Sequence, residues 1–157
     1  MTPAVALLKR NKQPFQLHSY THDPAATSYG LEAADKLGLD AQRVFKTLVV
    51  QADTGELLVA MVPVCNTLSL KKLAAAAGVK KVVMAQPAMV ERATGYVLGG
   101  VSPLGQKKRL RAFVDQSADA FPSLYVSAGR RGLEIELAPA LLKQLLGAGF
   151  VPLTASE

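Results

Sequence analysis

The pattern of apolar and polar positions divides this chain into short strands and short helices. The run at 44–51 is apolar and rich in β-branched residues, as in a buried strand, and a turn at 52–55 leads into a second strand at 56–62. Five more strands are predicted at 15–19, 81–84, 110–114, 123–127 and 132–137. Because several strands follow each other through hairpin turns, we expect a mixed or mainly antiparallel sheet.

Capping residues and glycines mark the ends of the predicted helices. Thr2 and Pro3 begin a helix that runs to about residue 12, and Ser69 begins another that Gly78 ends. The other helices are predicted at 29–37, 87–95 and 139–146. No linker rich in proline, glycine or serine divides the chain. We therefore predict one α/β (α+β) domain over residues 1–157.

Composition narrows the class of protein. Half of the 157 residues are hydrophobic and 19% are charged, which is a balance that supports a folded core. The longest uncharged apolar stretch, 57–70, is too short to cross a bilayer, and the N-terminal segment lacks the order of a signal peptide. Cys65 is the sole cysteine, as suits a reducing cytoplasm. The net charge of +6 favours an anionic partner, with nucleic acid first among the candidates.

Lys46 is the first candidate for chemistry because it interrupts the apolar run at 44–51. Burying an ammonium group is costly unless the group reaches solvent or an anion. Strand alternation places Lys46 on one face with Val44 and Leu48, and Thr47 on the other. A lysine at a strand end often simply extends to solvent, so the pattern leaves both a structural and a functional role open.

The segment from Gly99 to Gly105 is too rich in glycine and proline to be a regular element. Its backbone N–H groups could converge on a phosphate or a developing oxyanion, whereas the alternative is an ordinary long turn. The glycine spacing at 100–105 is that of a phosphate-binding P-loop. However, Gln106 and Lys107 stand where that motif needs lysine and serine or threonine, so a nucleotide triphosphatase is disfavoured.

Basic residues directly follow this loop in the run at 107–111, and two further pairs occur at 80–81 and 130–131. Such clusters hold phosphate groups, although a solvated basic surface is their usual meaning. The position beside the glycine loop favours a substrate that carries a phosphate chain.

Residue types that bind metals are scarce. His18 and His22 lie four apart, but they span a strand end and the turn at 23–24, and Cys65 has no partner nearby in sequence. We therefore expect no metal and no other cofactor. A Ser-His-Asp triad stays open, although no nucleophile-elbow motif is present.

The order of these motifs resembles the YbaK/EbsC family, whose freestanding branch comprises Cys-tRNA(Pro) deacylases related to the editing domain of bacterial prolyl-tRNA synthetases. The resemblance spans nearly the whole chain. It is carried by TPAV at 2–5, YTHDP at 20–24, KT at 46–47, TGY at 94–96, GGVSPLGQKK at 99–108 and YVS at 125–127.

The resemblance implies a twisted, mixed, partly barrel-like sheet surrounded by helices. It also implies hydrolysis of the ester between cysteine and tRNA(Pro), with the substrate's own thiol as the nucleophile. The residues that it places in the catalytic role are Lys46, Gly99, Gly100 and Val101. Those that it places in substrate binding are Tyr20, Tyr29, Thr47, Ser102, Pro103, Ser127 and Glu134.

Two positions depart from the family pattern, since Tyr29 replaces a phenylalanine and Glu134 replaces an aspartate. They leave Ala-tRNA(Pro) or another mischarged tRNA open as the substrate. A non-catalytic module that binds tRNA or a synthetase is a further alternative. The expected partners are the acceptor end of an aminoacylated tRNA and prolyl-tRNA synthetase, and we expect a cytoplasmic monomer without membrane contact.

Overall fold

The strands of the protein pair into two sheets. The structure is a computed structural model and describes residues 1–155. The helices are α1 (Pro3–Arg10), α2 (Tyr29–Leu37), α3 (Leu70–Ala77), α4 (Pro87–Thr94) and α5 (Pro139–Leu146), with a 3-10 helix at Gln116–Ala120. The strands are β1 (Gln16–Ser19), β2 (Phe45–Ala52), β3 (Leu57–Pro63), β4 (Val82–Met84), β5 (Arg111–Asp115), β6 (Leu124–Arg130), β7 (Leu133–Leu137) and β8 (Gly149–Val151).

The larger sheet has the strand order β4-β2-β3-β5-β8, and the smaller has the order β1-β7-β6. β2 and β3 form the predicted antiparallel hairpin, whereas β3–β5 and β5–β8 are parallel pairs. The expectation of mixed pairing is therefore confirmed. The strands form two sheets rather than one, joined by a bridge between Val44 and Tyr125. The barrel-like form is not confirmed, because among residues 1–155 β4 and β8 remain edge strands of the larger sheet.

Local signals position most helix ends as predicted. The side chain of Thr2 accepts a hydrogen bond from the N–H of Val5, and Ser69 caps α3 through the N–H of Lys72. α1 ends at Arg10, about two residues earlier than expected. The parallel strand β8 and the 3-10 helix at 116–120 were not predicted. Within residues 1–155, no helix is both long and apolar enough to cross a membrane.

The two faces of β2 belong to different parts of the core. Phe45 and Val49 pack in the largest cluster, together with Leu8 of α1. Val50 packs on the other face in a second cluster, together with Leu73 of α3. A cavity lined by Phe45 opens at the N-terminal end of β2.

Candidate functional site

A cavity of about 260 Å³ lies where the start of β2, the start of α2 and the glycine loop meet. Eight of the residues predicted from the sequence line it, namely Tyr20, Tyr29, Lys46, Thr47, Gly99, Val101, Ser127 and Glu134. Ser28, Gly30, Phe45, Leu48 and Leu98 complete the lining. Residues far apart in the sequence therefore converge on one concave surface, which is the usual form of a binding site for a small group.

Three predicted site residues do not line this cavity. The N–H of Gly100 donates to the carbonyl of Val97, and a Cβ at this position would lie 2.8 Å from Cα of Arg130. Ser102 is fully buried, and its hydroxyl accepts a hydrogen bond from the N–H of Leu104. Pro103 lines a different cavity. These three residues belong to the loop but lie outside the cavity lining.

Gly99 has a backbone conformation that requires glycine. Its φ of +85° is in the left-handed region, and a Cβ would lie 2.6 Å from Nε of Arg131 and 2.7 Å from the Tyr29 ring. Arg131 donates hydrogen bonds of 3.2 and 2.7 Å to the carbonyl of Leu98 and stacks on Tyr29. In the sequence, Arg131 is recognisable only as one of a pair of basic residues. Its contact to Leu98, 33 positions away, has no local signal.

The loop offers two backbone donors at the cavity. Within residues 1–155, the N–H groups of Gly99 and Val101 donate to no protein acceptor, whereas the N–H of Gly100 is occupied. Both residues line the cavity. Unoccupied backbone donors at a partly dry surface are suited to stabilise a developing oxyanion.

Lys46 reaches the cavity from β2 and is half-buried. Burial lowers the pKa of its ammonium group, because desolvation disfavours the charged form. Among residues 1–155, no carboxylate forms an ion pair with Lys46. An anionic ligand would therefore recover part of the lost solvation of this cation.

Thr47 lines the same cavity, although strand alternation separates its side chain from that of Lys46. The cavity wraps around the end of β2, so that both faces of the strand contribute to it. The Thr47 hydroxyl is buried without a hydrogen-bond partner among the described residues. A buried hydroxyl without a partner costs free energy, which a polar ligand atom would remove. Ser127 lies nearby in the lining, and its hydroxyl accepts a hydrogen bond from the N–H of Gly129.

Glu134 places a buried carboxyl group in the cavity wall. The residue is 6% exposed, and burial raises its pKa from 4.5 to about 8. The carboxyl group is therefore mostly neutral at pH 7 and can donate as well as accept a hydrogen bond. Burial also raises the pKa of Tyr20, with a further contribution from Glu134.

His22 and Glu32 fix the segment that carries Tyr20. The His22 ring donates to the Glu32 carboxylate over 2.7 Å, and the same carboxylate accepts the N–H of Asp23. Burial acts to raise the pKa of Glu32, but hydrogen bonds from His22, Asp23 and Lys36 lower it to about 2.

In the described part of the chain, no group of three metal-binding side chains lies close enough to hold an ion.

The family of aminoacyl-tRNA editing domains matches this chain over most of its length. The model of that family matches residues 22–145, and the chain belongs to the family.

Individual relatives narrow the comparison. EbsC of Enterococcus faecalis, named as a proposed Cys-tRNA(Pro)/Cys-tRNA(Cys) deacylase, is 36% identical over 99% of this chain and 94% of its own. A solved structure described as a proposed trans-editing enzyme for prolyl-tRNA synthetase is 27% identical and has a TM-score of 0.83, covering 97% of this chain and 94% of its own. The hypothetical protein APE2540 is 25% identical and has a TM-score of 0.87, covering 98% of this chain and 99% of its own.

Proposed function

We propose that this protein is an aminoacyl-tRNA deacylase that releases cysteine from Cys-tRNA(Pro). The observation that carries the proposal is the juxtaposition of Lys46, without an acidic partner in residues 1–155, and the two available N–H groups of Gly99 and Val101. The identity to EbsC supports this choice of substrate.

The reaction needs no nucleophile from the protein. The thiol of the bound cysteine attacks its own ester carbonyl, a carbon–sulfur bond forms, and the carbonyl oxygen becomes negative. The N–H groups of Gly99 and Val101 stabilise this oxygen. The carbon–oxygen bond to the ribose then breaks, and the ribose oxygen takes up the proton of the thiol. Water later opens the cyclic thioester to give free cysteine. The cavity contributes orientation, which is worth several kcal/mol for an intramolecular attack, on the order of 7 or more in ideal cases.

Lys46 has two roles that its position supports. Its ammonium group either binds the phosphate of the terminal adenosine or steadies the carbonyl oxygen. In either role, a negative group of the substrate pairs with the half-buried ammonium of Lys46, which has no carboxylate partner in residues 1–155. Lys46→Arg separates the two roles. A bidentate guanidinium preserves binding of a phosphate, whereas it does not reproduce the position of a single ammonium beside the carbonyl oxygen.

Alanine is the second candidate for the amino acid that is removed. Glu134 lies in the wall of the cavity and is one methylene longer than an aspartate. The extra length narrows the space for a side chain and favours a smaller residue. Since alanine has no thiol, its removal would require a water molecule as the nucleophile. The rates on the two aminoacyl-tRNAs distinguish the substrates directly.

The proposed partners follow from the substrate. Because the ester that is hydrolysed joins the amino acid to the terminal ribose, the protein contacts the acceptor end of the tRNA. We infer a role beside prolyl-tRNA synthetase, supported by the description of a structural relative as a trans-editing enzyme for that synthetase. The cytoplasm, where amino acids are attached to tRNA, is the expected location, and we expect a monomer.

The experiment that tests the proposal is deacylation of purified Cys-tRNA(Pro), with Ala-tRNA(Pro) and Pro-tRNA(Pro) in parallel. We expect loss of cysteine, retention of proline, and a rate at least about 100-fold lower for Lys46→Ala, as for other removed charge-stabilising groups. Lys80→Ala, an exposed lysine outside the cavity lining, is the matched control. Full activity of Lys46→Ala would remove Lys46 from the site. Tight tRNA binding without turnover on any of the three substrates would support the non-catalytic alternative.

A further inference from the structure

A second concave surface lies between α1, the segment after the glycine loop and α5. It consists of two cavities of about 360 and 460 Å³. The cavities share Arg109, Leu110, Ala112 and Leu146 and therefore form one continuous groove. We refer to this surface as the basic groove, because Arg10, Lys108 and Arg109 line it.

The basic groove concentrates positive charge without neutralising it. Arg10, Lys108 and Arg109 are exposed, and neither aspartate nor glutamate lines either cavity in the described chain. Within residues 1–155 these three cations form no ion pair. Arg111 also lines the groove, but its guanidinium is held at 2.9 Å by the Glu56 carboxylate.

The position of Arg10, Lys108 and Arg109 on one concave surface, without acidic residues in its lining, sets them apart from the cations that have a carboxylate partner. Lys36, Arg43 and Lys143 each lie within 4 Å of a carboxylate. In the groove, mutual repulsion between three exposed cations is reduced only by mobile counterions. A polyanion that replaces those counterions releases them to solvent, and this release drives binding to nucleic acid.

The basic groove adjoins the proposed active site through the chain itself. Val101 lines the catalytic cavity, and Pro103, two positions later, lines the groove. Two residues span at most about 7 Å of extended chain. The cavity and the groove therefore come close to each other at this loop.

We propose that the basic groove binds the phosphate backbone of the acceptor arm of the RNA substrate, through Arg10, Lys108 and Arg109. This inference rests on the proposed function, because it assigns a second contact surface to the same substrate. The groove would supply affinity and orientation without reading the sequence of the RNA, since phosphate contacts carry no base information.

The test compares two triple variants that carry the same net charge. One replaces Arg10, Lys108 and Arg109 by alanine. The control replaces Lys71, Lys80 and Lys81, which are exposed in α3 and just before β4, the strand at the sheet edge opposite to β8. The binding partner is a fluorescent acceptor-stem RNA hairpin that ends in 3′ CCA and carries no amino acid. Its binding is measured by fluorescence anisotropy over a series of salt concentrations.

We expect the groove variant to lose at least about tenfold in affinity at 0.1 M salt. The plot of log K against log salt concentration should become less steep by about two to three units. The reason is that each phosphate contact contributes about 0.7 to 0.9 of a unit to the negative slope. Deacylation by this variant should show a raised KM with kcat unchanged. The control variant should retain most of both the affinity and the slope.

If the two triple variants lost equal affinity for the RNA, the net charge of the protein alone would explain the loss. This result would overturn the proposal. Unchanged RNA binding together with weakened binding to prolyl-tRNA synthetase would assign the groove to a protein partner, and would overturn it as well. The hairpin carries no ester, so its binding does not depend on catalysis. A wild-type protein that hydrolyses no aminoacyl-tRNA but shows the groove-dependent slope would contradict the proposed function alone.

Discussion

The guanidinium carbon of Arg131 lies 4.3 Å from the centre of the Tyr29 ring, while two of its N–H groups donate to the carbonyl of Leu98. One side chain therefore connects α2, the hairpin between β6 and β7, and the residue that precedes Gly99. The flat face of the guanidinium stacks and its edge donates, which is a combination that lysine does not offer. This contact fixes the position of the loop amides at the cavity.

Replacing Arg131 by lysine should lower kcat more than it changes KM. The loop would lose its bidentate anchor, so the N–H of Gly99 would no longer be held in one position. We expect a decrease in kcat of about tenfold, equivalent to about 1.4 kcal/mol of transition-state stabilisation. Steady-state kinetics on the aminoacyl-tRNA substrate measures both constants. The neighbouring Arg130→Lys is the control, and an equal effect of the two substitutions would contradict this role of Arg131.

A methyl group at Gly99 should disrupt both the fold of the loop and the activity. Alanine at a φ of +85° is strained, and its Cβ would lie 2.6 Å from Nε of Arg131. We expect a loss of unfolding free energy of about 1 to 3 kcal/mol from the strained backbone, together with loss of deacylation. Gly55→Ala is the matched control, since φ is +91° there and no atom lies within 4 Å of the added Cβ. The control should lose stability, as measured by urea unfolding, and keep its activity. Full activity of Gly99→Ala would refute the assignment of the loop.

The parts of the fold that the sequence predicted are those with local causes. The β2–β3 hairpin follows from two apolar runs and the turn between them, and α3 follows from Ser69 and Gly78 at its ends. The parallel pairing of β3 with β5, and the addition of β8, depend on contacts between distant segments. β8 has only three residues, all half-buried, and therefore shows no pattern of its own.

The site divides in the same way. Lys46 is conspicuous because it interrupts an apolar run, and the glycine loop is conspicuous because of its composition. The alternation of side chains along a strand predicts that Lys46 and Thr47 lie on opposite faces, whereas both residues line the cavity at the end of β2. Arg131 acts through a backbone carbonyl that any residue type would provide, so no sequence pattern could identify its role.

Replacing Thr47 by valine should separate stability from activity. The hydroxyl is buried without a partner in residues 1–155, so a methyl group of similar size removes a desolvated polar atom. The free energy of unfolding should rise by about 1 kcal/mol, while deacylation should fall because the ligand loses a hydrogen bond. The control is Ser117→Ala, which removes another buried hydroxyl that has no partner among the described residues. Ser117 lies outside the cavity lining, so the control should gain stability and keep its activity. A Thr47→Val protein of lower stability and full activity would show that the hydroxyl has a structural role.

Glu134 should make the stability of the protein depend on pH in the range where its carboxyl group titrates. Its pKa is about 8 in the folded protein, against 4.5 for an ordinary glutamate, because burial disfavours the carboxylate. A raised pKa means that the folded state holds the proton more tightly than the unfolded state. Its contribution to stability is therefore complete below pH 4.5 and is lost as the pH rises through 8.

Glu134→Gln keeps the shape of the side chain and removes this titration. Urea unfolding of the two proteins at intervals between pH 5 and 9 measures the difference directly. The free energy of unfolding of the wild type, relative to Glu134→Gln, should decline between pH 5 and about 8 and level off above that pH. Glu56→Gln is the control, because the Arg111 guanidinium lowers the pKa of Glu56, so that this exposed group contributes no decline above pH 5. Parallel stability curves for the wild type and Glu134→Gln would mean that Glu134 is ionised in the folded protein, and that the cavity carries a negative charge at neutral pH.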